Sequence, residues 1–210
     1  MKRLLLVVLT SSWLVACSSV PEPTTHTTVA AAAINSQQQQ LQQLNQWRLR
    51  GQMALFDLRQ DDRHGLYIDW FYSAELLTMR FSHPLRGTIA RLEQRKGYAE
   101  LIDDDDNRYY GRNAQELLLK YFNIDLPVDM LNSVVMGKQL PTMAETKYQL
   151  QATDTQQLAL LSDFVMVAAD QLWNAQLRQY QPVNGIYVPH SIDLTAQTWR
   201  LKLKVSEWKF

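Results

Sequence analysis

The sequence predicts an α+β protein, a strongly curved antiparallel sheet or open barrel of about ten strands covered by α-helices. Three observations carry this. Apolar residues recur at every second position in two long runs, one on each side of the chain's middle. Between these runs, residues 113–137 change to helical spacing. Strands that follow one another through short turns form an antiparallel meander, and helices set between two strand runs argue α+β rather than alternating α/β.

The chain opens with Lys2 and Arg3, then an apolar run from Leu4 to Ala16 that ends in small residues before Cys17. A basic start, a short apolar segment and small residues at the cut describe a secretory signal peptide over residues 1–16. The run is shorter than the roughly 20 residues of a membrane span. Leu14-Val15-Ala16-Cys17 resembles the lipobox of bacterial lipoproteins. This implies cleavage before Cys17, a diacylglycerol on its thiol and an acylated amine. Each buried acyl CH2 contributes about 0.8 kcal/mol, and more than one chain gives lasting anchorage. Ser18, where an aspartate would resemble an inner-membrane retention signal, implies export to the outer membrane. Residues 17–35, with Pro21, Pro23 and a run of small polar residues, read as a lipidated end and flexible linker.

A single folded domain is expected over residues 36–210. Ser36 is the expected N-cap of a glutamine-rich helix over Gln37–Gln46, with Leu41 and Leu44 on one face. The first strand follows, with Trp47, Leu49, Gly51, Met53 and Leu55 on one face. After a polar turn at Asp57–Arg63 come two more strands, one carrying Leu66, Ile68 and Trp70 inward, the next Leu77, Met79 and Phe81. His83-Pro84-Leu85-Arg86-Gly87 is a turn, because proline and glycine interrupt the ladder. Strands over Thr88–Glu93, Tyr98–Ile102 and Arg108–Gly111 complete the first run, the last two joined by a charged tip at Asp103–Asn107. Asn113 caps a helix over Ala114–Phe122. A second helix follows Pro127 and ends before Gly137, a natural C′ residue. Further strands are expected over Tyr148–Ala152, Ala159–Ala169, Gln171–Tyr180, Gly185–Leu194 and Thr198–Trp208.

Composition narrows the function. Lys plus Arg equal Asp plus Glu, 21 each, and removing residues 1–16 takes two basic residues away. A near-neutral chain lacks the basic excess that attracts nucleic acid. With 46% hydrophobic residues it can build one sizeable core. One cysteine cannot form an internal disulfide. No hydrolase elbow, zinc-protease helix, phosphate loop or dinucleotide fingerprint occurs in the sequence. His26, His64, His83 and His190 are not spaced as metal ligands, and Asp103–Asp106 lacks the glycine and distal glutamate of a calcium loop. Neither a cofactor nor a metal is expected, and no enzymatic activity is. Leu85 at a turn tip has two readings: a hydrophobic turn folded back or simply exposed, or a side chain that touches a membrane or a ligand.

Together these segments resemble the LolB family of outer-membrane lipoproteins. The resemblance rests on Leu44-Asn45-Gln46-Trp47-Arg48-Leu49-Arg50-Gly51, Trp70-Phe71, His83-Pro84-Leu85-Arg86-Gly87, and Leu201-Lys202-Leu203-Lys204 followed by Trp208. It spans essentially all of the chain after Cys17. It implies an unclosed antiparallel β-barrel of ten or eleven strands, lidded by helices, with an apolar cavity between. It also implies a monomer that accepts lipoproteins from a periplasmic carrier of LolA type, holds their acyl chains and inserts them into the outer membrane, where it is itself anchored and faces the periplasm. In the family a protruding leucine in an Asn-Pro-Leu-Gly-type loop aids insertion, which assigns that role to Leu85, with Pro84 and Arg86 beside it. This chain departs from the pattern at His83 and at Arg86, a charge that can favour lipid headgroups. It also departs at Gly137-Lys138-Gln139-Leu140-Pro141, where the family has Gly-Leu-Pro.

The expected acyl-binding residues are those on the apolar strand faces: Leu49, Met53, Leu66, Ile68, Trp70, Leu77, Met79 and Phe81. Leu117, Tyr121, Leu131 and Val135 are the expected lid. Sequence shows the face of each but not whether space lies behind it, so dry core and cavity wall stay open for every one. Two other classes remain: a structural lipoprotein whose cup binds an envelope partner, and a lipoprotein enzyme acting on lipid or cell wall.

Overall fold

Apolar alternation fixes the strand faces, and the backbone ladder does the rest. The computed structural model describes residues 29–210. The signal segment, Cys17 and most of the expected linker lie outside the described residues. The elements are α1 (Ala31–Gln42), β1 (Gln46–Asp57), β2 (Asp62–Ser73), β3 (Leu77–His83), β4 (Gly87–Arg95), β5 (Tyr98–Asp103), β6 (Arg108–Gly111), α2 (Ala114–Phe122), α3 (Val128–Val134), β7 (Met143–Ala152), β8 (Gln157–Ala168), β9 (Gln171–Arg178), β10 (Gln181–Val183), β11 (Ile186–Val188), β12 (Ser191–Thr195) and β13 (Trp199–Lys209). Eleven strands form one antiparallel sheet in the order β6-β5-β4-β3-β2-β1-β13-β12-β9-β8-β7, and β10 pairs with β11 in a small ribbon. The strands at the two ends, β6 and β7, do not pair, so the barrel is unclosed. Helices cover it, α2 against β4, β5 and β6, and α1 against β8 and β11. Among the described residues no helix is long and apolar enough to cross a membrane.

Antiparallel pairing sends the turns to two rims. The β1–β2, β3–β4, β5–β6, β8–β9 and β12–β13 turns share one rim, and the β2–β3, β4–β5 and β7–β8 turns share the other. At β1 the sheet closes tightly on β13. A Cβ on Gly51 would stand 2.1 Å from the Lys204 carbonyl oxygen, beside the register shift between Arg50 and Gly51. Only glycine permits that approach.

Three expectations about the elements are corrected. Helix α1 begins at Ala31, not after Ser36, and ends at Gln42. Ala31–Ala33 are strong helix formers, and tertiary contacts replace the missing side-chain cap. Gln37 Nε2 donates to Tyr187 O at 2.8 Å, Gln38 Nε2 donates to Gly137 O at 3.0 Å, and Gln38 Oε1 accepts from Gln139 N at 2.8 Å. The glutamines thus satisfy loop backbone. The strand expected over Gly185–Leu194 is two strands in different sheets. Pro189 lacks an N–H and breaks the ladder, after which His190 N donates back to Arg178 O at 3.2 Å. Strand β7 starts at Met143, five residues before Tyr148, through a bulged register with β8.

The two central helices form as their sequences direct. Asn113 accepts from Glu116 N at 2.8 Å and caps α2. Gly137 adopts φ +78 after α3, and Lys138 N returns to Ser133 O at 3.2 Å.

Candidate functional site

Large side chains fill one end of the barrel and smaller ones leave the other hollow. At the filled end Trp47 lies 5.4 Å from Trp70, 5.6 Å from Tyr72 and 5.5 Å from Trp208, measured between ring centroids. Beyond Trp70 a cavity of about 480 Å³ opens, within the range of ligand pockets. Its sheet wall comes from Met53 and Leu55 on β1, Leu66, Ile68 and Trp70 on β2, Met79 and Phe81 on β3, Ile89 and Ala90 on β4, Leu101 on β5 and Leu201 on β13. The helical wall is Leu118, Phe122, Ile124, Leu126, Val128 and Leu131. Polar groups enter only at the rim carrying the β1–β2, β3–β4 and β5–β6 turns, as His64, Arg86, Asp103 and Asp104. An apolar chamber with charges confined to its mouth suits a ligand with an apolar tail and a polar head.

The mouth is built from two organised turns. In the β3–β4 turn Leu85 is 90% exposed. Its N–H donates to His83 Nδ1 at 3.2 Å, and Gly87 supplies φ +76. In the β5–β6 turn the Asp103 carboxylate accepts from Asp105 N and Asn107 N, both at 2.9 Å, from Asn107 Nδ2 at 3.0 Å and from the Tyr109 hydroxyl at 2.9 Å. The Asn107 side-chain bond leads the causes that hold Asp103 below the usual carboxylate range. Arg86 bridges the two turns by an ion pair with Asp104. The pair forms because the neighbouring turn presents a carboxylate within reach of Arg86, whose side chain stays 65% accessible.

The family model described as outer membrane lipoprotein LolB matches residues 45–208. This chain belongs to the LolB family. A protein named outer-membrane lipoprotein LolB from Psychromonas ingrahamii is 30% identical over 195 residues, covering 93% of this chain and 90% of its own. One of the same name from Serratia proteamaculans is 26% identical over 211 residues, covering 97% and 94%. Among solved structures, a DUF1329-family protein from Desulfovibrio piger aligns with a TM-score of 0.51 at 7% identity, covering 83% of this chain and 89% of that one, a likeness of fold.

Within this LolB-family fold the twelve expected acyl-binding residues divide. Met53, Leu66, Ile68, Trp70, Met79, Phe81 and Leu131 lie on the cavity wall. Leu49, Leu77, Leu117 and Val135 are buried in packed core instead. Leu49 pairs in register with Trp70 and Trp208, whose rings take the space. Leu77 lies on β3 at the same filled end, opposite Tyr72. Leu117 packs under Gly111, and Val135 caps α3 in the core. Tyr121 is 40% exposed and does not line the cavity; its ring meets Tyr109 at 4.7 Å in a tilted pair. Its helix neighbours Leu118 and Phe122 line the cavity in its place, a shift of about one position that helical rotation produces at 100° per residue. Leu55 and Leu201, a register pair on the same faces as Met53 and Leu203, carried a readable signal. Ile124 and Leu126 carried none, because they belong to the aperiodic connection before α3, and Val128 is the first residue of that helix.

Proposed function

We propose that this chain accepts acylated lipoproteins from a periplasmic carrier of LolA type, holds their acyl chains in the cavity and delivers them to the outer membrane. The observation that carries the reading is the apolar chamber whose polar mouth shares a rim with the 90% exposed Leu85. Each methylene moved from water into such a chamber contributes about 0.8 kcal/mol. Hand-over then needs only a gradient of affinity, the chamber above the carrier and the bilayer above the chamber. No covalent step or cofactor is required. Lipid on Cys17 would anchor the monomer to the outer membrane, facing the periplasm, and residues 18–30 would tether it. A tether raises local concentration without supplying the chemistry.

Leu85 is the residue placed to enter the bilayer, since an apolar side chain on a turn tip reaches lipid before the mouth does. The deciding experiment offers a fluorescent triacylated peptide to the protein, then supplies vesicles. Saturable, stoichiometric uptake followed by transfer supports the reading, and failure of the wild type to bind any acyl chain overturns it. In Leu85→Glu, uptake from the loaded carrier persists while delivery to vesicles falls at least tenfold. Equal loss of both steps would remove Leu85 from the membrane contact.

A further inference from the structure

Arg86 stands between Leu85 and Gly87 in the β3–β4 turn. Its side chain crosses from the β3–β4 turn to the β5–β6 turn and pairs with Asp104, eighteen residues on. Both residues line the cavity mouth with Asp103. The receiving turn is rigid, since Asp103 binds two backbone N–H groups, the Asn107 amide and the Tyr109 hydroxyl. The turn that carries Leu85 is less committed, with Leu85 N–H on His83 as a side-chain restraint of its own.

We propose that Arg86, through Asp104, is a positioning residue that holds the Leu85 turn over the cavity mouth, so that acyl chains leave the chamber where Leu85 meets the bilayer. This rests on the lipid-transfer reading above. The pair is too exposed to matter for overall stability: the side chains are 65% and 32% accessible, and such surface pairs contribute little. Its effect lies in direction. A turn pinned at Arg86 presents Leu85 at the mouth in a narrow range of poses, whereas an unpinned one samples poses that point the leucine away from the exit. Because the charges are exposed, salt weakens the pin.

The test follows delivery of a fluorescent triacylated peptide from the full-length lipidated protein to phosphatidylethanolamine–phosphatidylglycerol vesicles. Arg86→Ala and Asp104→Ala each slow delivery by about two- to fivefold, the scale of one exposed pair. The double variant is no slower than the slower single, and the exchange Arg86→Asp with Asp104→Arg restores the rate to within about twofold. In high salt the wild type slows toward the singles while the singles stay unchanged. If an alanine variant folds poorly by circular dichroism, Asp104→Asn gives the same reading with the shape kept. Multiplicative losses, an exchange as slow as the double variant, or salt-insensitive wild-type delivery would overturn the positioning role. A wild type that takes up no peptide would instead overturn the lipid-transfer reading beneath it, and the two failures are told apart at the uptake step.

Discussion

The two ends of strands β1–β3 carry the same inward alternation and hold opposite contents. At one end Trp47, Leu49, Trp70, Leu77 and Trp208 are at most 5% exposed and close-packed. At the other, Met53, Leu55, Leu66, Ile68 and Phe81 face open space. Hydrophobicity does not separate the ends, but volume does. Trp47, in contact with both Trp70 and Trp208, plugs the first, and aliphatic side chains opposite aliphatic side chains, as in Met53 with Leu66 and Leu203, leave the second unfilled. One barrel thereby obtains stability from its plug and a ligand site from its hollow.

The comparison breaks most directly at Trp47. Trp47→Ala removes a fully buried ring from the plug and should cost about 3–5 kcal/mol, read as a fall in the urea midpoint. A loss no greater than that of Ile68→Ala, whose side chain already borders empty space, would erase the distinction between the ends. Gly51→Ala tests the seam that joins them. Its Cβ meets the Lys204 carbonyl oxygen at 2.1 Å, and forcing β1 off β13 should cost about 1–3 kcal/mol, with exchange of the β13 amides accelerated.

Filling the hollow sharpens the comparison from the other side. Leu66→Trp places a ring where the plug has one, so uptake of an acyl probe should fall at least tenfold while the urea midpoint moves by less than about 1 kcal/mol equivalent. Unchanged uptake would mean the chamber is not the acyl site. The smallest effect concerns the outer face over the junction. There Asp69 accepts from Arg48 at 2.6 Å and from Arg50 at 3.0 Å. The Arg48 bond is the leading cause that lowers its pKa. An unfolded aspartate titrates near about 3.9. The stability from Asp69 is therefore present above that pH and lost as the pH falls through the lower folded value. Asp69→Asn should flatten the acid limb of urea midpoint against pH while leaving acyl uptake as it was.

Much of the fold was legible because it follows from local rules. Asn113 capping α2, Gly137 ending α3 and the alternation of β13 need only neighbours in sequence. The start of α1 at Ala31 was not legible, since Gln37 and Gln38 find their partners on Tyr187, Gly137 and Gln139. Neither was the break at Pro189, where one apparent strand divides between two sheets. For the site, the face of each residue was readable and its occupancy was not. Leu49 and Met53 lie four residues apart on the same face of β1, yet one meets Trp208 and the other Leu203.

Alternation, capping and turn chemistry in the sequence alone determined an α+β meander, its inward faces and a leucine on the β3–β4 turn. Those properties depend on bonds and periods within a few residues. Which inward residues are wall and which are core, and the union of Arg86 with Asp104 across the mouth, were decided only by the tertiary structure. Empty space is a property of what stands on the facing strands and helices, and those partners are brought together by register and sheet curvature from distant parts of the chain.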